Sequence, residues 1–329
     1  MEKKYFFRRQ FIGTGMLAAA GMALASKTSL ASSIFNLKTS INMKQLSTDQ
    51  EINFSSASAP IKFVQVNGLK IAYKLIGDGE PIIFLNRFRG NLNDWDPGFV
   101  DVVAARYKVL LFDAPGIGLS EGTVPASITK MGDDAIAFAS ALGIKKAAYL
   151  GWSMGGAVAQ AIAVNYPGAT SKIVLCATGP SGSPEFVAAN PEFGIHARKE
   201  KYEFEDNLFL FFHDSVKSRL ACEAYLLRVS KIINKDEDTK KESFMNQGMA
   251  LGDFKANKEK NYFEALKDIK VPVLIANGKF DPSYPLMNSG LLEREIPESK
   301  LIIYPDAGHG FLFQYYTEFA AEVVSFLSA

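Results

Sequence analysis

The sequence predicts an α/β fold: a mostly parallel sheet with helices on both faces and a helical insertion over it. Three observations carry this reading. The runs PIIFL (81–85), KVLLFD (108–113), AAYLGW (147–152), KIVLCAT (172–178), VPVLIANG (271–278) and LIIYP (301–305) are short, apolar and free of polar alternation. Strands buried on both faces have this pattern. Helix-compatible segments such as 130–142 and 157–165 separate most of these runs, the latter stopped by Tyr166-Pro167, which makes a βα repeat. The interval 179–270 breaks the alternation and has an apolar periodicity of its own, as at Phe204, Leu208, Phe211 and Phe212. It reads as helices inserted into the repeat.

In chain order, the first segment stands outside this body. MEKKYFFRRQ is basic, FIGTGMLAAAGMALA is apolar and rich in small residues, and Ala23-Leu24-Ala25 is an A-x-A cleavage pattern, so 1–25 reads as an export signal. Arg8-Arg9 ahead of Phe11-Ile12 resembles the twin-arginine type, which places the mature protein in the periplasm or outside a bacterial cell. An uncleaved anchor is the alternative, but the apolar run falls short of the about 20 residues a membrane span needs, so no stable span is expected in the mature protein. Residues 26–59 are rich in Ser, Thr and Asn without periodicity and read as a flexible linker. The body, 60–329, opens with IKFVQV and LKIAYKLIG joined by Asn67-Gly68, the dipeptide best suited to a type I′ hairpin.

Composition narrows the function. A chain of 329 residues with 48% hydrophobic content can bury a sizeable core. A net charge of +1 with no basic run provides no field for nucleic acid or an anionic membrane. Cys176 and Cys222 are too few for a disulfide framework and read as small buried hydrophobes. Three scattered histidines without a His-x-x-x-His spacing offer no zinc site, and no cofactor motif is present.

The chemistry-bearing motif lies where AAYL runs into Gly151-Trp152-Ser153-Met154-Gly155-Gly156, followed by a segment rich in alanine. A G-x-S-x-G between a buried strand and a small-residue helix puts the serine on a tight turn with its hydroxyl exposed at the sheet edge. The helix start aims unpaired N–H groups and a positive dipole end at the same place. Ser153 is therefore the candidate nucleophile, and it needs a base to take its proton. His196 and His213 lie inside the insertion among aromatic and charged residues and read as structural or solvated. His309, in Asp306-Ala307-Gly308-His309-Gly310 just after the last strand, can reach back to Ser153. An orienting acid is available at Asp281, just beyond VPVLIANG at the same sheet edge. Asp306 competes for that role but reads as a loop-capping residue.

The order Ser153, Asp281, His309, together with GWSMGG, NGKFDP, DAGHGF and the glycine-rich FDAPGIGLSEG (112–122), resembles the α/β-hydrolase fold superfamily. The resemblance spans the chain from Ile61 onward. It implies an eight-stranded sheet, a Ser-Asp-His triad and a lid between the sixth and seventh strands, here about 180–265. Within FDAPGIGLSEG it implies structure only, with Asp113 fixing the loop and Gly116 and Gly118 supplying turns.

The mechanism that follows from the resemblance is acyl transfer, with an oxyanion held by two N–H donors. One is that of Met154. The other comes from the loop after PIIFL, in FLNRFRG (84–90), where relatives carry His-Gly and this chain carries Asn86-Arg87. Phe88 then inherits the donor position. Arg87 and Arg89 pair with Asp94 or Asp96 and stiffen the loop, or Arg87 binds a substrate carboxylate. Trp152, beside the nucleophile, is a second candidate for contact with substrate. The aromatic insertion suits an apolar acyl or aryl group. The expected partner is a small ester-like molecule, with lactones and thioesters close behind. A C–C bond hydrolase, a cofactor-free perhydrolase or haloperoxidase with the same triad, and a non-catalytic binding protein on the same scaffold remain open.

Overall fold

A computed structural model of the protein describes residues 55–329. The expected export signal and all but the last residues of the expected linker lie outside the described residues. The linker ends earlier than the sequence suggests, because Ser55–Ser58 is a helical turn of the body. Its Ser56 N–H donates to Asp101 Oδ1 at 3.0 Å, and Ala57 O accepts from Ile233 N–H at 3.0 Å. Small side chains let this turn lie close against its neighbours, and Ala57 and Ala59 are buried.

Eight strands form one sheet: β1 (Lys62–Val66), β2 (Leu69–Ile76), β3 (Pro81–Leu85), β4 (Lys108–Phe112), β5 (Ala147–Trp152), β6 (Thr170–Cys176), β7 (Val273–Gly278) and β8 (Ser299–Tyr304). Their order is β1-β2-β4-β3-β5-β6-β7-β8. The first hairpin turns on Asn67 at φ 51° and Gly68 at φ 83°, the two positive angles of a type I′ turn. β2 also runs antiparallel to β4, and every later pairing is parallel.

Side chains alternate between two cores. Phe84 joins Leu111, Phe99, Val103 and Phe319 on one face, under the helices Pro97–Ala104 and Tyr316–Ser328. Ile83 and Leu85 join Phe138, Ala159 and Ile162 on the other, under Ile128–Ala141 and Met154–Asn165. Covering both faces removes any need for polar positions, which is why the strands read as continuous apolar runs. β3 lies between β4 and β5, with Leu85 opposite Gly151. The loop after β3 and the turn after β5 therefore emerge side by side, at the edge where open α/β sheets bind ligands.

The insertion between β6 and β7 contains the helices Phe193–Ala197, Phe204–Phe211, Val216–Ser230 and Lys241–Lys255. Two buried polar ties hold it to the sheet. In the first, Arg228 Nη2 donates to Asp96 Oδ2 at 2.6 Å, while Asp96 caps Pro97–Ala104 by accepting from Gly98 N–H at 2.9 Å. Burial pushes the Asp96 carboxyl up, and the Arg228 guanidinium works against that. In the second tie, Asp113, just past β4, faces Asp236 of the insertion. Both are buried, and the Oδ2 of each lacks a donor. Burial and then Asp236 push the Asp113 carboxyl well above its ordinary range, against a Leu92 N–H that lowers it. Lys74 of β2 faces both acids, with its own pKa lowered by burial, and Asp94 adds negative charge nearby.

Burial and a like charge alongside both disfavour an ionised carboxylate, so Asp113 keeps its proton to higher pH than usual. Because the folded pKa of Asp113 is raised, its stabilising contribution is full below the ordinary carboxylate pKa and is lost as pH rises through the raised value. Asp113→Asn supplies a permanent donor to Asp236. Its Tm is expected to match wild type at about pH 3, below the ordinary carboxylate pKa, and to exceed it by a margin that grows as pH rises above that range, by about 3 °C or more at the alkaline end. Calorimetry across pH checks this, and a variant that loses stability with pH as wild type does would rule out Asp113 as the titrating group.

Candidate active site

β5 ends at Trp152 and the next helix begins at Met154, so Ser153 must make the whole turn alone. It does so at φ 58° and ψ −115°, a region that costs a non-glycine residue roughly 1–3 kcal/mol. Two hydrogen bonds hold it there, Ser153 N–H to Cys176 O at 2.8 Å and Gly156 N–H to Ser153 O at 2.9 Å. The flanking glycines are steric necessities. A Cβ on Gly151 would lie 2.1 Å from Gly155 O, and one on Gly155 would lie 2.0 Å from Leu85 O.

The base and acid arrive from the ends of β7 and β8. His309 Nδ1 lies 2.8 Å from Asp281 Oδ2. The other carboxylate oxygen, Oδ1, accepts from Ser283 N–H at 2.7 Å and Tyr284 N–H at 2.9 Å. An acceptor this well fixed assigns the ring proton to Nδ1 and leaves Nε2 as the basic atom. The loops carrying both residues touch backbone to backbone, since a Cβ on Gly278 would lie 2.2 Å from Gly308 O. Trp152, Phe193, Phe211 and Tyr284 surround the imidazole with ring centroids 5.7 to 6.4 Å away. His309 is 1% exposed and Ser153 6%. No hydrogen bond joins Ser153 Oγ to the ring among the described residues; in resting enzymes this contact is often loose and tightens on substrate binding.

The two expected N–H donors converge on the same edge. Met154 is the first residue of its helix and has no intrahelical partner for its N–H. Phe88 N–H donates to no protein atom among the described residues. Asn86, at the first position of the loop, donates from Nδ2 to Phe112 O at 3.1 Å and accepts from Trp95 Nε1.

The arginines part company. Arg87 is buried and forms an ion pair with Asp94, and its Nη1 donates to Phe88 O at 2.7 Å. Burial opposes its charge, but Asp94, with Tyr202 and Tyr225 behind it, raises its pKa overall. The guanidinium lies over Phe211 and Trp152, 4.9 and 5.5 Å from their centroids, and its Nε has no partner. This fits the loop-stiffening role more closely than a free carboxylate-binding one. Arg89 pairs with neither Asp94 nor Asp96, contrary to the sequence reading. It turns to the insertion, and Asp96 is taken by Arg228. Trp152 also differs from expectation: it is 1% exposed, donates to His309 O at 3.0 Å and packs on Phe313, so it supports the base from beneath.

His196 binds Asp206 at 2.6 Å, and His213 stacks on Phe280 at 3.9 Å at the cleft that Asp281 also lines; neither hydrogen-bonds a triad residue among the described residues. Asp306 accepts from Ser215 Oγ at 3.1 Å and does not reach the imidazole. A cavity of about 40 Å³ lies beside Met154, lined also by Leu85, Asn86, Gly90, Val158 and Gln247. A more open cleft of about 680 Å³ lies outside the acid loop and includes Asp281, Asn190 and Phe209 but neither Ser153 nor His309. The contacts of Gln247, Thr239 and Asp236 with this region were not foreseeable, because no local pattern marks a polar residue whose partner lies more than a hundred positions away.

The sequence model of the alpha/beta hydrolase fold matches residues 80–315. The chain belongs to the α/β-hydrolase fold family. The hydrolase is 27% identical over 299 residues to a 2-hydroxy-6-oxononadienedioate/2-hydroxy-6-oxononatrienedioate hydrolase of Comamonas testosteroni, a match covering 84% of this chain and 99% of that one. It is 24% identical over 261 residues to a pimeloyl-[acyl-carrier protein] methyl ester esterase of Pectobacterium atrosepticum, covering 75% and 94%. Among solved structures, an alpha/beta hydrolase fold protein from Chitinophaga pinensis superposes with a TM-score of 0.75 at 30% identity, over 83% of this chain and 99% of the other. Hydrolysis is thus the activity class of this chain.

Proposed function

We propose that the protein cleaves a carboxylic ester, or a lactone or thioester, through an acyl-enzyme on Ser153. The observation that supports this most is the Asp281–His309 pair at 2.8 Å, which leaves Nε2 as a base at the edge where Ser153 is held in its strained turn. In this mechanism Nε2 takes the Ser153 proton as Oγ attacks the carbonyl carbon. The oxyanion forms between Met154 N–H and Phe88 N–H. Collapse breaks the bond to the leaving group, which receives the proton from His309. Water then gives its proton to the same nitrogen and attacks the acyl carbon, and Ser153 Oγ leaves with that proton. Asp281 holds the imidazole's orientation and stabilises its positive charge.

A second reading, cleavage of a carbon–carbon bond, is favoured by the similarity to the Comamonas 2-hydroxy-6-oxononadienedioate hydrolase. Comparing p-nitrophenyl acetate and butyrate with a 2-hydroxy-6-oxo-dienoate tests both. Ester turnover with acylated Ser153 recovered by acid quench and mass spectrometry is the expected result. Much faster dienoate turnover selects the second reading, and ester turnover that leaves Ser153 unmodified rejects the acyl-enzyme.

A further inference from the structure

We propose that the helical insertion positions the second oxyanion donor, with Gln247 and Arg89 as the positioning residues. This rests on the reading of Ser153 as nucleophile and Phe88 N–H as donor. Phe88 is the second residue of a four-residue turn that Gly90 N–H closes on Arg87 O at 2.9 Å. The third residue, Arg89, sits at φ 62°, a left-handed conformation that disfavours any residue with a Cβ. The turn therefore needs support from outside.

The insertion supplies it at every polar group of Arg89. The N–H donates to Gln247 Oε1 at 2.8 Å, and the carbonyl accepts from Thr239 Oγ1 at 2.9 Å. The guanidinium donates to Ala197 O at 2.9 Å and Lys199 O at 2.7 Å, and lies between the rings of Tyr202 and Phe244 at 5.2 and 4.7 Å. The Phe88 ring meets Phe244 edge-on at 6.2 Å. Further along, Asn91 Nδ2 donates to Glu237 O at 2.7 Å and Asn93 Nδ2 to Asp236 O at 3.0 Å. Among the described residues, the hydrogen bonds from the body to 86–92 fall at its ends, Asn86 to Phe112 O and Leu92 N–H to Asp113 Oδ1. Between those ends, the hydrogen bonds that leave the loop run to the insertion.

Ser153 and His309 face little open space: both are buried, and the cavity beside Met154, which Gln247 also lines, is about 40 Å³, room for about one water. Entry displaces the insertion, and displacement releases Arg89 and the peptide that carries Phe88 N–H. Reseating the insertion rebuilds the donor, so oxyanion stabilisation is switched on by closure in a site from which water is excluded.

The test uses the full chain with Gln247→Leu, which keeps the size and removes the acceptor, and Gln247→Glu, which retains an acceptor. For Gln247→Leu, kcat on a p-nitrophenyl ester is expected to fall at least about 10-fold with KM within about twofold, part of the 100- to 1000-fold that loss of one donor costs. Binding of a boronic acid that forms a tetrahedral adduct on Ser153 should weaken by the same factor, and Gln247→Glu should recover both. If Gln247→Leu melts below the assay temperature, Thr239→Val removes the other tie to the Arg89 backbone and carries the same expectation. An unchanged kcat, or a loss confined to KM and Tm while the boronic acid still binds at wild-type strength, overturns the proposal. Ser153→Ala run alongside separates the failures. An inactive Ser153→Ala beside an unaffected Gln247→Leu rejects only the positioning role, and an active Ser153→Ala rejects the site itself.

Discussion

Ser153→Ala is expected to lower kcat on an ester by roughly 10⁵-fold, with KM within about threefold and Tm within about 2 °C of wild type. The substitution deletes only Oγ, the atom that forms the acyl bond. The two N–H donors and the Asp281–His309 pair stay in place, so substrate still binds and water retains weak access to a polarised carbonyl. Stability should hold because alanine bears the positive φ of this turn about as poorly as serine does, and the bonds to Cys176 O and from Gly156 N–H are backbone bonds. Steady-state kinetics and calorimetry on the same preparation check both halves. Retention of more than about a tenth of wild-type kcat would move the nucleophile elsewhere.

Gly155→Ala is expected to damage fold and chemistry together, costing about 3 kcal/mol or more and lowering Tm by roughly 8 °C. Its Cβ would stand 2.0 Å from Leu85 O and 3.0 Å from Asn86 O. Backbone cannot rotate away as a side chain can, so the end of β3 and the start of the helix must separate. That motion also draws Phe88 away from Met154, and kcat should fall about 100-fold even where the variant is folded. Gly290→Ala is the matched control. It lies in the helix Leu286–Glu295 with nothing within 4 Å of its Cβ, and the better helix propensity of alanine should leave Tm unchanged or raise it. A Gly155→Ala protein as stable and active as wild type would mean that the elbow does not pack on β3 as described.

The parts legible in the sequence share one physical trait, in that their determinants are local. A strand buried on both faces shows itself in five or six consecutive apolar residues. The type I′ turn shows itself in Asn67-Gly68, and the elbow in glycines two positions either side of a serine. The triad candidates were legible for a related reason. Each stands just past a strand in a sheet whose C-terminal ends share one edge, so strand order alone brought Asp281 and His309 to a 2.8 Å contact.

The parts that were not legible turn on the choice of partner. Arg89 was read against the nearest acids, Asp94 and Asp96. It binds carbonyls 108 and 110 residues away, and Asp96 takes a guanidinium 132 residues away. A guanidinium has five donors and accepts any carbonyl or carboxylate that the fold delivers, so proximity in sequence carries little weight. Trp152 was read as facing substrate because it adjoins Ser153. It sits on a strand, where successive side chains point to opposite faces, and faces the core that holds His309 from below. The resemblance has Asp113 fixing its own loop, but its carboxyl accepts from Leu92 N–H of the loop after β3, 21 residues away, and its meeting with Asp236 depends on where the insertion lands.

The sheet, its hairpin, the strained turn at Ser153 and the order of the residues that meet there can all be read along the chain. Each follows from short-range sterics and hydrophobic periodicity. How the loop Asn86 to Gly90 is held emerges from packing alone. Hydrogen bonds across a hundred or more residues depend on the packing of helices whose apolar faces say that they must be buried, and leave open against what.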